Sequence, residues 1–115
     1  MRVYIAGPYS SNPDENTAFA MAMGNVLLSL GFAPYIPHLC HFWHAQYPRP
    51  YEDWMRMDLE FVKVCDLVFR LPGYSPGADR EVELAQKCGI PVFLSISDIL
   101  TYCEFRKDID EMAWG

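Results

Sequence analysis

Apolar positions along this chain fall into short continuous runs and longer helical stripes, and the two patterns alternate. RVYIA (2 to 6) is an apolar run closed by Gly7-Pro8, which predicts a first strand and a turn. Asn12-Pro13-Asp14-Glu15 then opens a helix, with Asn12 as N-cap, Pro13 at N1 and Glu15 completing a capping-box pattern. Gly31 suits the position just past its end. APYIP (33 to 37) reads as a second strand, and HLCHFWHAQYPRP (38 to 50), which has no clean period, as a loop with some helical turn. A second helix is expected over 51 to 65, a third strand in DLVFRL (66 to 71), and a third helix from Ala78 to Lys87, ending at Cys88-Gly89. IPVFLS (90 to 95) predicts a fourth strand, and Ser97-Asp98 a cap for a last helix. The chain shows no internal repeat and no low-complexity segment.

Strands alternating with helices imply parallel βαβ units with right-handed crossovers. The expected fold class is α/β: a single flavodoxin/Rossmann-like three-layer domain over residues 1 to 115, with a four- to five-stranded parallel sheet and helices on both faces. Ligands of such sheets bind beyond the carboxyl ends of the strands. GPYS, PHLCHFWH and LPGYSPGADRE, the unusual stretches after strands one, two and three, should therefore meet at one edge.

Two acids interrupt the helical pattern. At about 100° per residue, Tyr51, Trp54, Met55, Phe61, Val62 and Cys65 share a sector with Asp58 at its centre, while Glu52, Asp53, Arg56, Glu60 and Lys63 lie opposite. In the next helix Ala78, Val82, Leu84, Ala85 and Cys88 surround Glu81, and the remaining charges face away. An ionised carboxylate buried without partners costs several kcal/mol. One such acid can sit where its helix leaves the core and reach water. Two of them near the same sheet edge point to joint use in a site.

Charge and composition narrow the chemistry. A net charge of −6 over 115 residues argues against a nucleic-acid groove, but not against small phosphorylated ligands. No apolar run nears the roughly 18 residues of a membrane span, and the N-terminal stretch is too short for a signal peptide. Cys40, Cys65, Cys88 and Cys103 form no CxxC pair, and Cys65 and Cys88 fall on apolar helix faces. Buried free thiols and a cytoplasmic location are expected.

A carboxylate pair in a cleft suits glycosidic bond cleavage, in which one acid attacks the anomeric carbon and the pair stands ~5 Å apart in the retaining scheme. Glu81, in the first turn of its expected helix, is favoured as the ionised nucleophile by the macrodipole. Asp58, among apolar neighbours, is expected to have a raised pKa and to donate the proton. The loop before Glu81 offers the Ser75 hydroxyl and backbone N–H groups as a phosphate cradle. His38, Cys40, His41 and His44 are dense enough to raise zinc, but their spacing matches no standard ligand pattern. Base-pocket lining or plain packing is the reading preferred for them, with His38 closest to ligand; no metal and no cofactor are expected.

These residues carry a resemblance. Val3-Tyr4-Ile5-Ala6-Gly7, the Asp58-Leu59…Asp66 spacing and the Ser75…Gly77…Glu81…Ala85 run resemble the nucleoside 2-deoxyribosyltransferase superfamily, including its nucleoside 5′-monophosphate N-glycosidases. The resemblance implies that Glu81 forms a glycosyl-enzyme intermediate and that Asp58 is its acid partner near the base. Asp66, at the far end of its strand, reads as structural. Tyr4, Gly7, Pro8, Tyr9, His38, Ser75, Gly77 and Ala78 become the expected substrate-binding residues. Serine at 75, where the nucleoside transferases usually carry aspartate, favours hydrolysis of a nucleoside 5′-monophosphate. The alternatives are base exchange by a deoxyribosyltransferase, a phosphoribohydrolase with a PGG-type loop, and a nucleotide sensor without turnover. The partners implied are a small nucleotide or nucleoside and further copies of the chain, as a homodimer or an assembly of dimers.

Overall fold

The structure, a computed structural model, describes the backbone of residues 1–114 and the side chains of residues 1–107. In chain order the elements are β1 (Arg2–Ala6), α1 (Pro13–Ser29), β2 (Ala33–Tyr35), a 3₁₀ turn (Pro37–Leu39), α2 (Cys40–Gln46) and α3 (Tyr51–Val62). There follow β3 (Leu67–Arg70), α4 (Pro76–Lys87), β4 (Val92–Phe93) and α5 (Ile96–Trp114). The strands form one four-stranded sheet in the order β2-β1-β3-β4, parallel throughout.

Alternation along the strands divides the core. Val3 and Ile5 of β1 join Phe69, Leu27 and Ile99 on the face covered by α1 and α5. Tyr4 and Ala6 turn to the other face, with Val62, Ala78 and Ala85 of α3 and α4. The buried face of α3 therefore holds Met55, Asp58 and Val62, and that of α4 holds Ala78, Glu81 and Ala85. Tyr51 and Phe61, expected inside, are half-exposed where α3 reaches the rim.

Local signals explain most boundaries. Asn12 accepts from the Glu15 N–H at the start of α1, and Gly31, just past its end, has φ +93°. Asp66 is structural: its Oδ2 accepts from the Arg2 N–H at 2.7 Å, tying β3 to the start of β1.

Four local expectations change. Residues 40–46 form a true helix, α2, which buries none of its residues and so leaves no apolar stripe in the sequence. Helix α4 starts at Pro76 rather than Ala78, because Ser75 caps it by accepting from the Ala78 N–H at 3.1 Å. Ser95, not Ser97, caps the last helix, through the Asp98 N–H at 3.1 Å. Cys65 is buried, whereas Cys88 is exposed because it is the C-cap residue, beyond the last helical turn. No described helix is long and apolar enough to cross a membrane.

Candidate functional site

A cleft of about 630 Å³ opens beyond the carboxyl ends of β1, β2 and β3, within the size range of ligand pockets. Gly7 and Tyr9 follow β1, and His38 and Cys40 follow β2. Ser75, Gly77 and Ala78 open α4 after β3. Helix α3 contributes Tyr51, Trp54, Met55 and Asp58, spaced so that they share one face. The walls meet closely near α4: a Cβ on Gly77 would lie 2.6 Å from the Tyr51 hydroxyl and 3.0 Å from the Met55 methyl. A side chain at 77 would require the ends of the Tyr51 and Met55 side chains to move aside.

Both acids line the cleft and are buried, Asp58 at 8% and Glu81 at 4% exposure. Each has a tyrosine partner. The Tyr4 hydroxyl donates to Glu81 Oε2, and the Tyr35 hydroxyl donates to Asp58 Oδ1 at 3.5 Å, a long bond. Burial raises the Asp58 carboxyl to about 7, against a small opposing effect of the Tyr35 bond. Burial raises Glu81 to about 8; the Tyr4 bond pulls it down and the nearby Asp58 charge pushes it up.

The macrodipole argument for an ionised Glu81 therefore changes. With α4 beginning at Pro76, Glu81 lies in the second turn, where the dipole has largely faded. Burial dominates, and the Tyr4 hydroxyl is the group that favours the charged form. Burial also drives the Tyr4 phenol well above its usual range, so that it remains a donor.

The other expected site residues divide between lining and support. Tyr4 acts through Glu81, and Pro8 through its carbonyl, which meets His38 Nε2 at 3.0 Å. Neither is part of the cleft lining, although His38 is. His38 is 4% exposed, burial lowers its pKa, and its Nδ1 is buried without a partner among the described residues. Ser75 and Gly77 are at the cleft, but the Ala78 N–H goes to Ser75 Oγ and the Asp79 N–H to the Ser75 carbonyl at 3.0 Å. Of the N–H groups of Gly77, Ala78 and Asp79 at this end of α4, Gly77's is left to meet an anion.

The remaining histidines are engaged separately. His41 Nδ1 lies 2.7 Å from the Tyr9 hydroxyl and its Nε2 3.0 Å from Asp14. His44 Nδ1 accepts from Trp54 Nε1 at 2.9 Å and from the Arg49 backbone N–H at 3.2 Å. Among the described residues no three His, Cys, Asp or Glu side chains converge as a metal site would require.

Sequence reasoning missed Tyr35, Arg49 and the His44–Trp54 pair. Tyr35 was within reach of the pattern. It is the register partner of Tyr4 in the parallel pairing, and strands in register turn such partners to the same face. Arg49 and His44 lie in the stretch with no period, where nothing in the sequence sets their direction.

The chain thus has a parallel α/β fold with a buried two-carboxylate cleft at the carboxyl edge of its sheet. It belongs to the family described as Domain of unknown function (DUF4406), whose model matches residues 1–94. The fold is shared with a 2-deoxyribosyltransferase from the psychrotolerant bacterium Bacillus psychrosaccharolyticus (TM-score 0.60, 22% identity, 80% of this chain and 69% of that one). It is also shared with a 2-desoxiribosyltransferase from Leishmania mexicana (TM-score 0.62, 18% identity, 80% of this chain and 61% of that one). No curated protein matches the sequence.

Proposed function

We propose that the protein cleaves the N-glycosidic bond of a nucleoside and transfers the 2-deoxyribosyl group to a second base through Glu81. The observation that carries this reading is the pair of buried carboxylates, each held by a tyrosine hydroxyl, at the cleft beyond the strand ends. The two structural neighbours are deoxyribosyltransferases, which supports base exchange over hydrolysis.

In the first half-reaction an ionised Glu81 oxygen attacks the anomeric carbon. The glycosidic C–N bond breaks, its electron pair leaves with the base, and Asp58 supplies the proton that neutralises it. In the second, the nitrogen of an incoming base attacks the anomeric carbon and returns its proton to Asp58, and the ester bond electrons return to Glu81. The pair must hold one proton at the outset. Burial, which raises Glu81 to about 8 and Asp58 to about 7, favours the proton on Glu81, and the Tyr4 bond opposes this. The reaction starts from the arrangement with the proton on Asp58 and the charge on Glu81.

Ser75 supports a second reading, hydrolysis of a nucleoside 5′-monophosphate with water as acceptor. Its hydroxyl accepts from Ala78, which leaves its own hydrogen for a phosphate oxygen, and Arg49 adds a cation to the lining. Against it, the helix end retains only the Gly77 N–H. Incubation of the protein with a deoxynucleoside, its monophosphate and a second base tests both. Exchanged nucleoside supports transfer, free base from the monophosphate supports hydrolysis, and intact ligands in every arm would sink both.

Exposed aromatic residues, Phe42 at 54%, Tyr47 at 68% and, at the cleft, Tyr74 at 87%, support a homodimer or an assembly of dimers. Sedimentation at micromolar concentration should show a species larger than the 13.2 kDa chain.

A further inference from the structure

We propose that His44 determines base specificity: its imidazole, fixed with the hydrogen on Nε2, donates to an acceptor on the ligand's base. This rests on the nucleoside reading above. The tautomer follows from the partners. Trp54 Nε1–H and the Arg49 backbone N–H both point at His44 Nδ1, at 2.9 and 3.2 Å. Both groups are obligate donors, so Nδ1 must present its lone pair, and the ring hydrogen sits on Nε2.

Nε2 has no partner among the described residues and is not one of their buried, unpaired polar atoms. His44 and Trp54 both line the cleft. The ring is also pinned: Trp54 meets it edge to face at 5.8 Å, and Trp43 backs Trp54 at 5.0 Å. A held donor discriminates better than a mobile one, because it cannot turn to suit a mismatched group.

Its place indicates which part of the ligand it meets. Trp54 lies one turn before Asp58 on the same face of α3, so His44 stands on the side of the acid that would serve the leaving base. Ser75 and Gly77, on α4, belong to the other wall. A donor on the base side selects an unprotonated ring nitrogen, and disfavours an exocyclic amine placed there.

Two measurements test this. A long-range ¹H–¹⁵N correlation of the full chain should place the His44 hydrogen on Nε2; a hydrogen on Nδ1 overturns the proposal with no ligand involved. The second measures binding in the Glu81→Gln background, where turnover does not interfere. The probes are 2′-deoxyadenosine against 7-deaza-2′-deoxyadenosine, and 2′-deoxycytidine against 3-deaza-2′-deoxycytidine. In at least one pair, loss of the ring acceptor should weaken binding about five- to tenfold, and His44→Phe should remove that penalty. Equal penalties with and without His44, or none in either pair, overturn the proposal. If His44→Phe does not fold, Trp54→Phe serves instead, because it removes the shorter of the two bonds that hold the ring in place and should shrink the same penalty. Absence of binding by all four nucleosides and their monophosphates, with the hydrogen still on Nε2, would instead sink the nucleoside reading and this proposal with it.

Discussion

Tyr4 and Tyr35 are register partners on adjacent parallel strands, their rings stacked at 5.4 Å, and their hydroxyls go to different buried carboxylates. Phe61 closes the stack on Tyr35 at 4.6 Å. The sheet thereby holds both acids from beneath, through side chains that its own pairing aligns. A hydrogen bond to a charged group is worth about 1.5–3 kcal/mol. Tyr4→Phe should therefore lower kcat/KM by roughly one to two orders of magnitude, and shift the acid limb of the pH–rate profile upward. Tyr35→Phe, which loses a longer bond, should do less. A Tyr4→Phe profile that overlays the wild type would remove Tyr4 from the mechanism.

Glu81→Gln should abolish turnover, by at least about 10³-fold, and should also stabilise the fold in a pH-dependent way. A carboxyl raised to about 8 in the native state has a value near 4.3 when unfolded. The native state holds that proton more tightly, so stability is greatest at low pH and falls as pH rises through this window. Asp58, raised to about 7, acts in the same direction. His38, buried with a lowered pKa, opposes it below about pH 6.5. Between about pH 6.5 and 8 the wild-type Tm should fall with rising pH. The Glu81→Gln curve should be flatter and lie higher at the alkaline end. Parallel melting curves for the two proteins would show that Glu81 is not held protonated.

Asp58→Asn removes the proton donor but leaves the nucleophile. Its effect should be about 10²–10⁴-fold for bases that need protonation to leave. It should be much smaller for a nucleoside whose leaving group departs as an anion. A uniform loss across leaving groups would reassign Asp58 to binding or positioning.

Ser75 has two jobs that substitution can separate. Ser75→Ala removes the α4 cap and should cost about 1 kcal/mol, visible as a lower Tm. Ser75→Asp retains a good cap and should melt near the wild type, while its charge repels a 5′-phosphate. If the phosphate reading holds, wild-type protein should prefer monophosphate over nucleoside by at least about tenfold, and Ser75→Asp should erase the preference. Equal affinity of the wild type for both ligands leaves base exchange as the reading.

The inward faces of Asp58 and Glu81 were legible in the sequence because α3 and α4 are amphipathic, and an acid among apolar neighbours breaks the period visibly. The strand–helix alternation located the cleft for the same reason. The start of α4 was hidden in its proline-glycine loop, where Ser75-Pro76 is both a turn and a cap followed by N1. That slip of two residues moved Glu81 out of the first turn and changed what sets its charge. Helix α2 was legible only as a loop with some helical turn, since a helix that buries nothing carries no stripe to read. Tyr4 was expected at the site only through the resemblance and not as the partner of Glu81, and Tyr35 looks like an ordinary strand aromatic until the register sets the two side by side.

Helix α2 is attached to the body of the protein without being part of its core. It supplies His44 to the cleft while burying none of its own residues, whereas the acids ride on helices packed into the sheet. Substitutions along 40–46 that spare the Trp54 partner should therefore be nearly free of folding consequences, and those on the inner faces of α3 and α4 should not. Under selection, such an arrangement lets substrate preference drift while bond-breaking stays fixed. Family members should differ most along α2, and a library confined to that helix is the place to look for altered base choice with intact chemistry.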